Sequence, residues 1–188
     1  YPAGRIRIPN DSKSRAGGVL YSDYSLGRFF AEAARQPWFE NTIFLVTADH
    51  CASSAGRTEI PLQKYHIPAL ILAPGLIEPG VVDGIVSQID LMPTLLSLLN
   101  MSYDSHFYGR SIFDPAYVNR AFIATYQDLG YLEGDTFTIL SPVRRFEQYR
   151  VVPTEENPHH LEAMERKDAV QVDRAIGYYQ TSCKWNKQ

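Results

Sequence analysis

Hydrophobic positions along the chain change period twice, and each change predicts a different kind of element. From about Val19 to Arg35, Leu20, Tyr24, Phe29 and Phe30 fall close to one face of a helix, with Tyr21, Asp23 and Arg28 elsewhere, and Pro37 stops it. A loop from Tyr1 to Gly18, marked by Pro2, Gly4, Pro9, Asn10, Asp11 and the Gly17-Gly18 pair, precedes this helix. Thr42 to Thr47 is then continuously apolar, the pattern of a central parallel strand covered on both faces. A polar loop from Ala48 to about Tyr65 leads to a second such strand, Ala69 to Leu72, ended by Pro74-Gly75. Ser87 to Asn100 returns to helical period, with Leu91, Leu95, Leu98 and Leu99 as its apolar stripe. Asp90 is its candidate N-cap, and Pro93 lies in the first turn, where a missing N–H costs little.

Beyond Arg120 the runs become short. Arg120 to Tyr126, Thr136 to Leu140 and Arg145 to Val151 read as strands of an antiparallel meander, with turn signals at Leu129-Gly130, Glu133-Gly134-Asp135 and Ser141-Pro142. From about Asn157 to Lys184 the composition is helical. The expected fold is α/β: part of a mostly parallel sheet with flanking helices, plus a small C-terminal antiparallel sheet and a terminal helix. Residues 1–118 and 119–188 are expected to be two parts of one domain. Two parallel strands are too few for a complete doubly wound sheet, and Tyr1-Pro2-Ala3-Gly4 is not an initiator sequence. The chain is therefore expected to be a C-terminal fragment whose missing strands lie before Tyr1.

Composition narrows the function classes. The 188 residues are 45% hydrophobic and 21% charged, enough for one domain with an ordinary core. A formal net charge of −3, with Lys and Arg scattered, argues against a nucleic-acid surface. Cys51 and Cys183 are too few for a disulfide scaffold and leave the redox compartment open. No stretch is long and apolar enough to cross a bilayer.

The candidate chemistry lies after the first buried strand. Asp49 and His50 follow its carboxyl end, where ligands bind in open α/β sheets. A carboxylate beside an imidazole offers one hard oxygen and one borderline nitrogen, a pair that Zn²⁺ and Mn²⁺ accept. Position alone equally fits an Asp that caps a turn beside a surface histidine. Downstream, Arg57, Lys64 and His66 flank the small, polar Cys51–Gly56 stretch and the start of the second strand. His66 could bind an anionic oxygen, donate a proton, or be satisfied by backbone. Asp90 reads as a helix cap, His106 as a packing or surface residue in a Tyr/Phe-rich turn, and His159-His160 as a helix start. Two adjacent histidines point apart and make a poor metal clip.

Three motifs together resemble a known family. They are Thr47-Ala48-Asp49-His50 after an apolar strand with Asn41-Thr42 before it; His66-Ile67-Pro68-Ala69-Leu70-Ile71-Leu72-Ala73-Pro74-Gly75; and Ser87-Gln88-Ile89-Asp90-Leu91-Met92-Pro93-Thr94-Leu95-Leu96, followed by Phe107-Tyr108-Gly109-Arg110-Ser111. From Asn41 to about Asp114 the chain resembles the C-terminal half of the sulfatase domain of the alkaline phosphatase superfamily, in particular the lipoteichoic-acid-synthase-like phosphoglycerol transferases. Past Arg120 only the general strand-then-helix pattern is similar.

The resemblance implies a divalent metal on Asp49 and His50, and Arg57, Lys64 and His66 at the substrate. It also implies a Thr or Ser nucleophile, or a formylglycine in true sulfatases, upstream of Tyr1, so that no catalytic nucleophile lies in this chain and the fragment is inactive alone. The Cys/Ser-x-Pro-x-Arg pattern of formylglycine is absent around Cys51 and Cys183. Typical sulfatases carry Asp-Asn where this chain has Asp49-His50. A nitrogen ligand favours Mn²⁺ or Zn²⁺ over Ca²⁺ or Mg²⁺, and phosphorus-centred chemistry over sulfate hydrolysis. The implied partners are a phosphoester or sulfate ester, lipid- or glycan-linked, and the remainder of the catalytic domain. The implied location is a bacterial cell envelope, with an extracytoplasmic domain anchored by N-terminal membrane helices. Competing readings are a sulfuric ester hydrolase and a non-catalytic binding domain or pseudoenzyme.

Overall fold

The computed structural model describes residues 1–9, 13–52 and 60–185. Contacts divide the chain into two units, one of Tyr1–Val46 and Leu70–Gly80, the other of Thr47–Ala69 and Val81 onward. In the first, helix α1 spans Arg15–Ala33. It begins earlier than the apolar period indicated because Ser14 caps it, the Ser14 hydroxyl accepting the Gly17 N–H at 3.1 Å. A side chain at Gly17 would overlap the Tyr1 ring, which also stacks on Tyr21. Strand β1, Phe44–Thr47, presents Phe44 to Phe29 and Phe30 of α1 and to Trp38 and Phe39, with ring centroids 5.4 to 6.2 Å away.

Strand β2, Ala69–Leu72, pairs with β1 as expected, but the direction differs from the expectation. The sheets are antiparallel, so the mostly parallel sheet is corrected. Just beyond the strands the Ala48 N–H donates to the Pro68 carbonyl at 3.4 Å, which puts the end of β1 beside the start of β2. An apolar run signals covering, not direction; the connection sets direction. A parallel return needs a crossover, usually helical. Among the described residues between Ala48 and Pro68 there is one short 3-10 turn, Leu62–Lys64, and no α-helix. Nor is the pair buried on both faces: β1 is partly buried, and Leu70 is 51% exposed.

In the second unit, a 3-10 turn at Gln88–Asp90 leads into helix α2, Leu91–Leu98. Asn100, in the left-handed region at φ 51°, ends it, with the Met101 N–H returning to the Leu96 carbonyl. Five strands follow as an antiparallel meander in sequence order: β3 Arg120–Ala124, β4 Leu129–Glu133, β5 Thr136–Ser141, β6 Arg145–Val151 and β7 Leu161–Ala163. Two of these correct the sequence reading. β4 occupies residues taken for turns, because Gly130 is required by packing rather than by chain reversal: a side chain there would collide with the Phe137 ring. β7 lies inside the stretch assigned to the closing helix, since Leu161 pairs with Val151. The helix, α3, is Ala169–Trp185, capped by Asp168, whose carboxylate accepts the Gln171 N–H at 3.1 Å.

The meander is covered on both faces. One carries Ile123, Leu132, Phe137, Ile139, Val151 and Leu161, packed with Ile60, Leu62 and Tyr65. The other meets α3: Phe122 and Tyr131 pack on Tyr178, and buried Gln148 and Thr138 hydrogen-bond Gln171.

Asp90, fully buried, occupies the N-cap position of α2 but its side chain makes no capping bond to that helix; it reaches back to the preceding 3-10 turn and to an ion pair instead. Its carboxylate takes the N–H of Ser87 and of Arg110, the Tyr117 hydroxyl and two N–H groups of Arg120. Burial and the Asp90 charge push the Tyr117 phenol well above its usual range, so it stays a donor. Gly109 abuts this turn; a side chain there would overlap the Ile89 carbonyl. Removing one partner strands the other charge in the interior. Asp90→Ala is expected to lower stability by about 3–5 kcal/mol, read as a drop in the denaturant midpoint; a change under about 1 kcal/mol would show the ion pair to be dispensable.

Candidate functional site

Asp49 and His50 follow β1, and their backbone is held from two sides. The Thr47 hydroxyl donates to the Pro68 carbonyl at 3.1 Å, and the Gln88 side-chain amide donates to the carbonyls of Ala48 at 2.9 Å and Asp49 at 3.3 Å. Gln88 belongs to the 3-10 turn that ends at Asp90, so the segment that carries the buried carboxylate also holds the backbone of the exposed pair.

The two side chains are ordered by local hydrogen bonds. Asp49 Oδ1 accepts the His50 N–H at 2.9 Å, leaving Oδ2 free of that bond. His50 Nδ1 lies 2.9 Å from the Cys51 carbonyl oxygen. A carbonyl only accepts, so Nδ1 carries the hydrogen and the neutral ring has its lone pair on Nε2. That Nε2 lies 3.3 Å from Asp49 Oδ2, and both side chains are largely exposed. Two donors on one ion at bond lengths of about 2.0–2.2 Å sit about 3 Å apart. The pair thus fits a shared divalent metal in chemistry, tautomer and spacing. No group of three His, Cys, Asp or Glu side chains suited to a metal occurs among the described residues.

The remaining candidates fall differently. The Cys51 thiol donates to the His66 carbonyl at 3.1 Å, tying the residue after His50 to the entrance of β2. Lys64 closes the 3-10 turn Leu62–Lys64, its N–H donating to the Pro61 carbonyl. Arg57 lies outside the described residues. His66, exposed, meets a histidine that sequence reasoning passed over: His66 Nδ1 is 3.3 Å from Nε2 of half-buried His159, with the rings edge to face at 88°. His159 is not at a helix start. It lies between β6 and β7, where its N–H donates to the Asn157 side-chain oxygen and Val152 N–H bonds the His160 carbonyl. Ile60 and Leu62, packed on the meander, anchor the segment that brings His66 there. With the two histidines 93 positions apart, no local pattern could have paired them.

Comparison with known proteins gives the family. Residues 8–101, half of the 188, match the family model described as Sulfatase. The chain belongs to the sulfatase family. Over 107 residues this sulfatase-family chain is 30% identical to a protein named arylsulfatase from Clostridium perfringens (strain 13 / Type A), covering 52% of the chain and 22% of that relative. A crystal structure of a protein in the alkaline phosphatase superfamily from Vibrio parahaemolyticus superposes with a TM-score of 0.83 at 32% identity, over 97% of this chain and 46% of that one. The chain therefore spans less than half the length of either. Members of the sulfatase family generally depend on a divalent metal.

Burial first, then the charge of His66, lowers the His159 pKa below the ordinary histidine range. The folded chain then binds that proton less readily than the unfolded chain. Its contribution to stability is complete above the ordinary range and is lost as pH falls toward the folded value. The denaturant midpoint should fall on acidification from about pH 7 to about pH 5, and His159→Gln should flatten part of that slope. An unchanged slope would assign the loss to other groups.

Proposed function

We propose that this chain supplies the C-terminal part of a metal-dependent esterase or transferase acting on phosphoglycerol-type phosphoesters, of the lipoteichoic-acid-synthase-like kind. A Thr or Ser nucleophile outside these residues would attack the phosphorus. The observation that carries the reading is the Asp49–His50 pair: a carboxylate oxygen and an imidazole Nε2 lone pair at 3.3 Å, the nitrogen being oriented by the Cys51 carbonyl. An imidazole ligand suits Mn²⁺ or Zn²⁺ and is foreign to an all-oxygen Ca²⁺ shell.

Asp49 and His50 would hold the ion, which when bound supplies Lewis-acid stabilisation of charge on the phosphoryl oxygens. The chain's own residues do the rest of its share. Gln88 and Thr47 fix the backbone from which the two ligands project, so that their geometry is set before substrate arrives. His66 and Lys64, with Arg57, would meet the anionic oxygens of the substrate. The resemblance further supports an envelope location, with membrane helices outside this chain; among the described residues no helix is long and apolar enough to cross a membrane.

Sulfate-ester hydrolysis is a second reading, favoured by the name of the Clostridium relative, arylsulfatase. The two differ in the metal. By calorimetric titration the chain should bind one Mn²⁺ or Zn²⁺ weakly, since two protein ligands are fewer than the three usual in catalytic sites. Asp49→Ala and His50→Ala should each abolish that binding. In a longer form that includes the nucleophile, either change should cut phosphodiester turnover about 100-fold or more. Full metal content and activity in His50→Ala would make the pair a structural turn, and selective Ca²⁺ binding would favour sulfate chemistry. The 188-residue chain alone should turn over neither ester; turnover abolished by Asp49→Ala would place the nucleophile within it.

A further inference from the structure

His66 and His159 come from distant parts of the sequence, yet their ring nitrogens lie within hydrogen-bond distance, 3.3 Å. Two neutral imidazoles at that separation share one hydrogen: one ring donates and the other accepts. Which ring donates fixes what the opposite nitrogen of His66 can do. We propose that His159 is the positioning residue for His66, accepting its Nδ1–H and so leaving His66 Nε2 as the atom that faces the substrate.

Exposure sets the direction of the bond. His159 is half-buried, and taking up a proton would cost it solvation, so its Nε2 keeps a lone pair. His66 is exposed, where water or an anionic oxygen can reach its ring. An imidazolium has only donors, so the charged form needs His159 as acceptor, and the neutral form keeps the same bond without a ring flip. Nε2 of His66 then takes a proton when the ring is neutral and donates to an anionic oxygen when it is charged. The arrangement matches that at His50, where a carbonyl holds Nδ1–H and frees Nε2. In both histidines the outer nitrogen is selected by a partner behind the ring, as in metal and catalytic sites generally.

The backbone holds His159 in place. Its N–H donates to Asn157 Oδ1 at 3.0 Å, and the Thr154–Asn157 turn is closed by hydrogen bonds in both directions. His66 is fixed from its own carbonyl by the Cys51 thiol. Both rings thus sit on backbone that is already restrained, which is the condition for a hydrogen bond to choose a tautomer rather than follow it.

The role of His66 at substrate rests on the phosphoester reading above; its tautomer does not. Long-range proton–nitrogen NMR on the ¹⁵N-labelled chain, free of metal and ester, reads both ring nitrogens directly. Spectra are taken above the ordinary histidine titration range, and His66→Gln identifies the signals. The parent should show His66 with a protonated Nδ1 and a bare Nε2. His159→Phe should shift His66 toward the Nε2–H form, while His159→Gln, whose amide oxygen can accept the same bond, should retain Nδ1–H. An amide spectrum matching the parent outside the Asn157–His160 turn confirms that each variant is folded. An Nε2–H tautomer in the parent, or the same tautomer in His159→Phe, overturns the proposal. Either result would leave the metal assignment at Asp49 and His50 intact, just as loss of metal binding would leave this tautomer test unaffected.

Discussion

A carboxylate with no access to water must find all its partners within the protein, and Asp90 is the group on which this requirement falls. Its two oxygens accept five hydrogen bonds, from Ser87, Arg110, Tyr117 and the guanidinium of Arg120. These donors come from the turn before α2, from the segment after it, and from the first strand of the meander. The interaction is costly to assemble and costlier to break, so it favours one arrangement of these segments over looser ones. Gln88, two residues before Asp90, uses the rigidity of that turn to clamp the carbonyls of Ala48 and Asp49. The backbone of the exposed Asp49–His50 pair is thus tied to a segment that a buried charge anchors.

The meander serves the site in a similar indirect way. Phe137 and Thr138 are adjacent and both fully buried, which requires cover on both faces. One cover is α3; the other includes Ile60 and Leu62, which lie only a few residues before His66. The β6–β7 connection, carrying His159, leaves the same sheet. Two histidines far apart in the chain are therefore brought together by ordinary packing of an antiparallel sheet, with no need for a dedicated element.

What could be read in the sequence follows from which physics is local. The helical stripe of α1, the existence of β1 and β2, Pro93 in the first turn of α2 and most of the meander were legible, because period and turn chemistry act over a few residues. Gly130 misled, since a glycine demanded by the Phe137 ring looks the same in sequence as one demanded by a turn. Strand direction was lost for β1 and β2, because an apolar run has no sense of direction and the connection between them carries no crossover helix in its described part. Asp49 and His50 could be found together because they are neighbours. The Cys51 carbonyl that sets the His50 tautomer, and the His159 ring behind His66, are contacts of the folded chain alone.

Gly109 gives this dependence a bearing on variation among sequences. Its Cα rests against the Ile89 carbonyl, in the middle of the Gln88–Asp90 turn, with no room for a methyl group. Any replacement must push that turn aside, and with it the amide of Gln88 that holds the carbonyls of Ala48 and Asp49. Tolerance to substitution near the site is thus not graded by distance from the chemistry. A residue with no polar side chain can constrain the Asp49–His50 backbone as firmly as the groups that hydrogen-bond it, and a variant at position 109 would disturb that backbone while leaving every polar side chain around it unchanged in sequence.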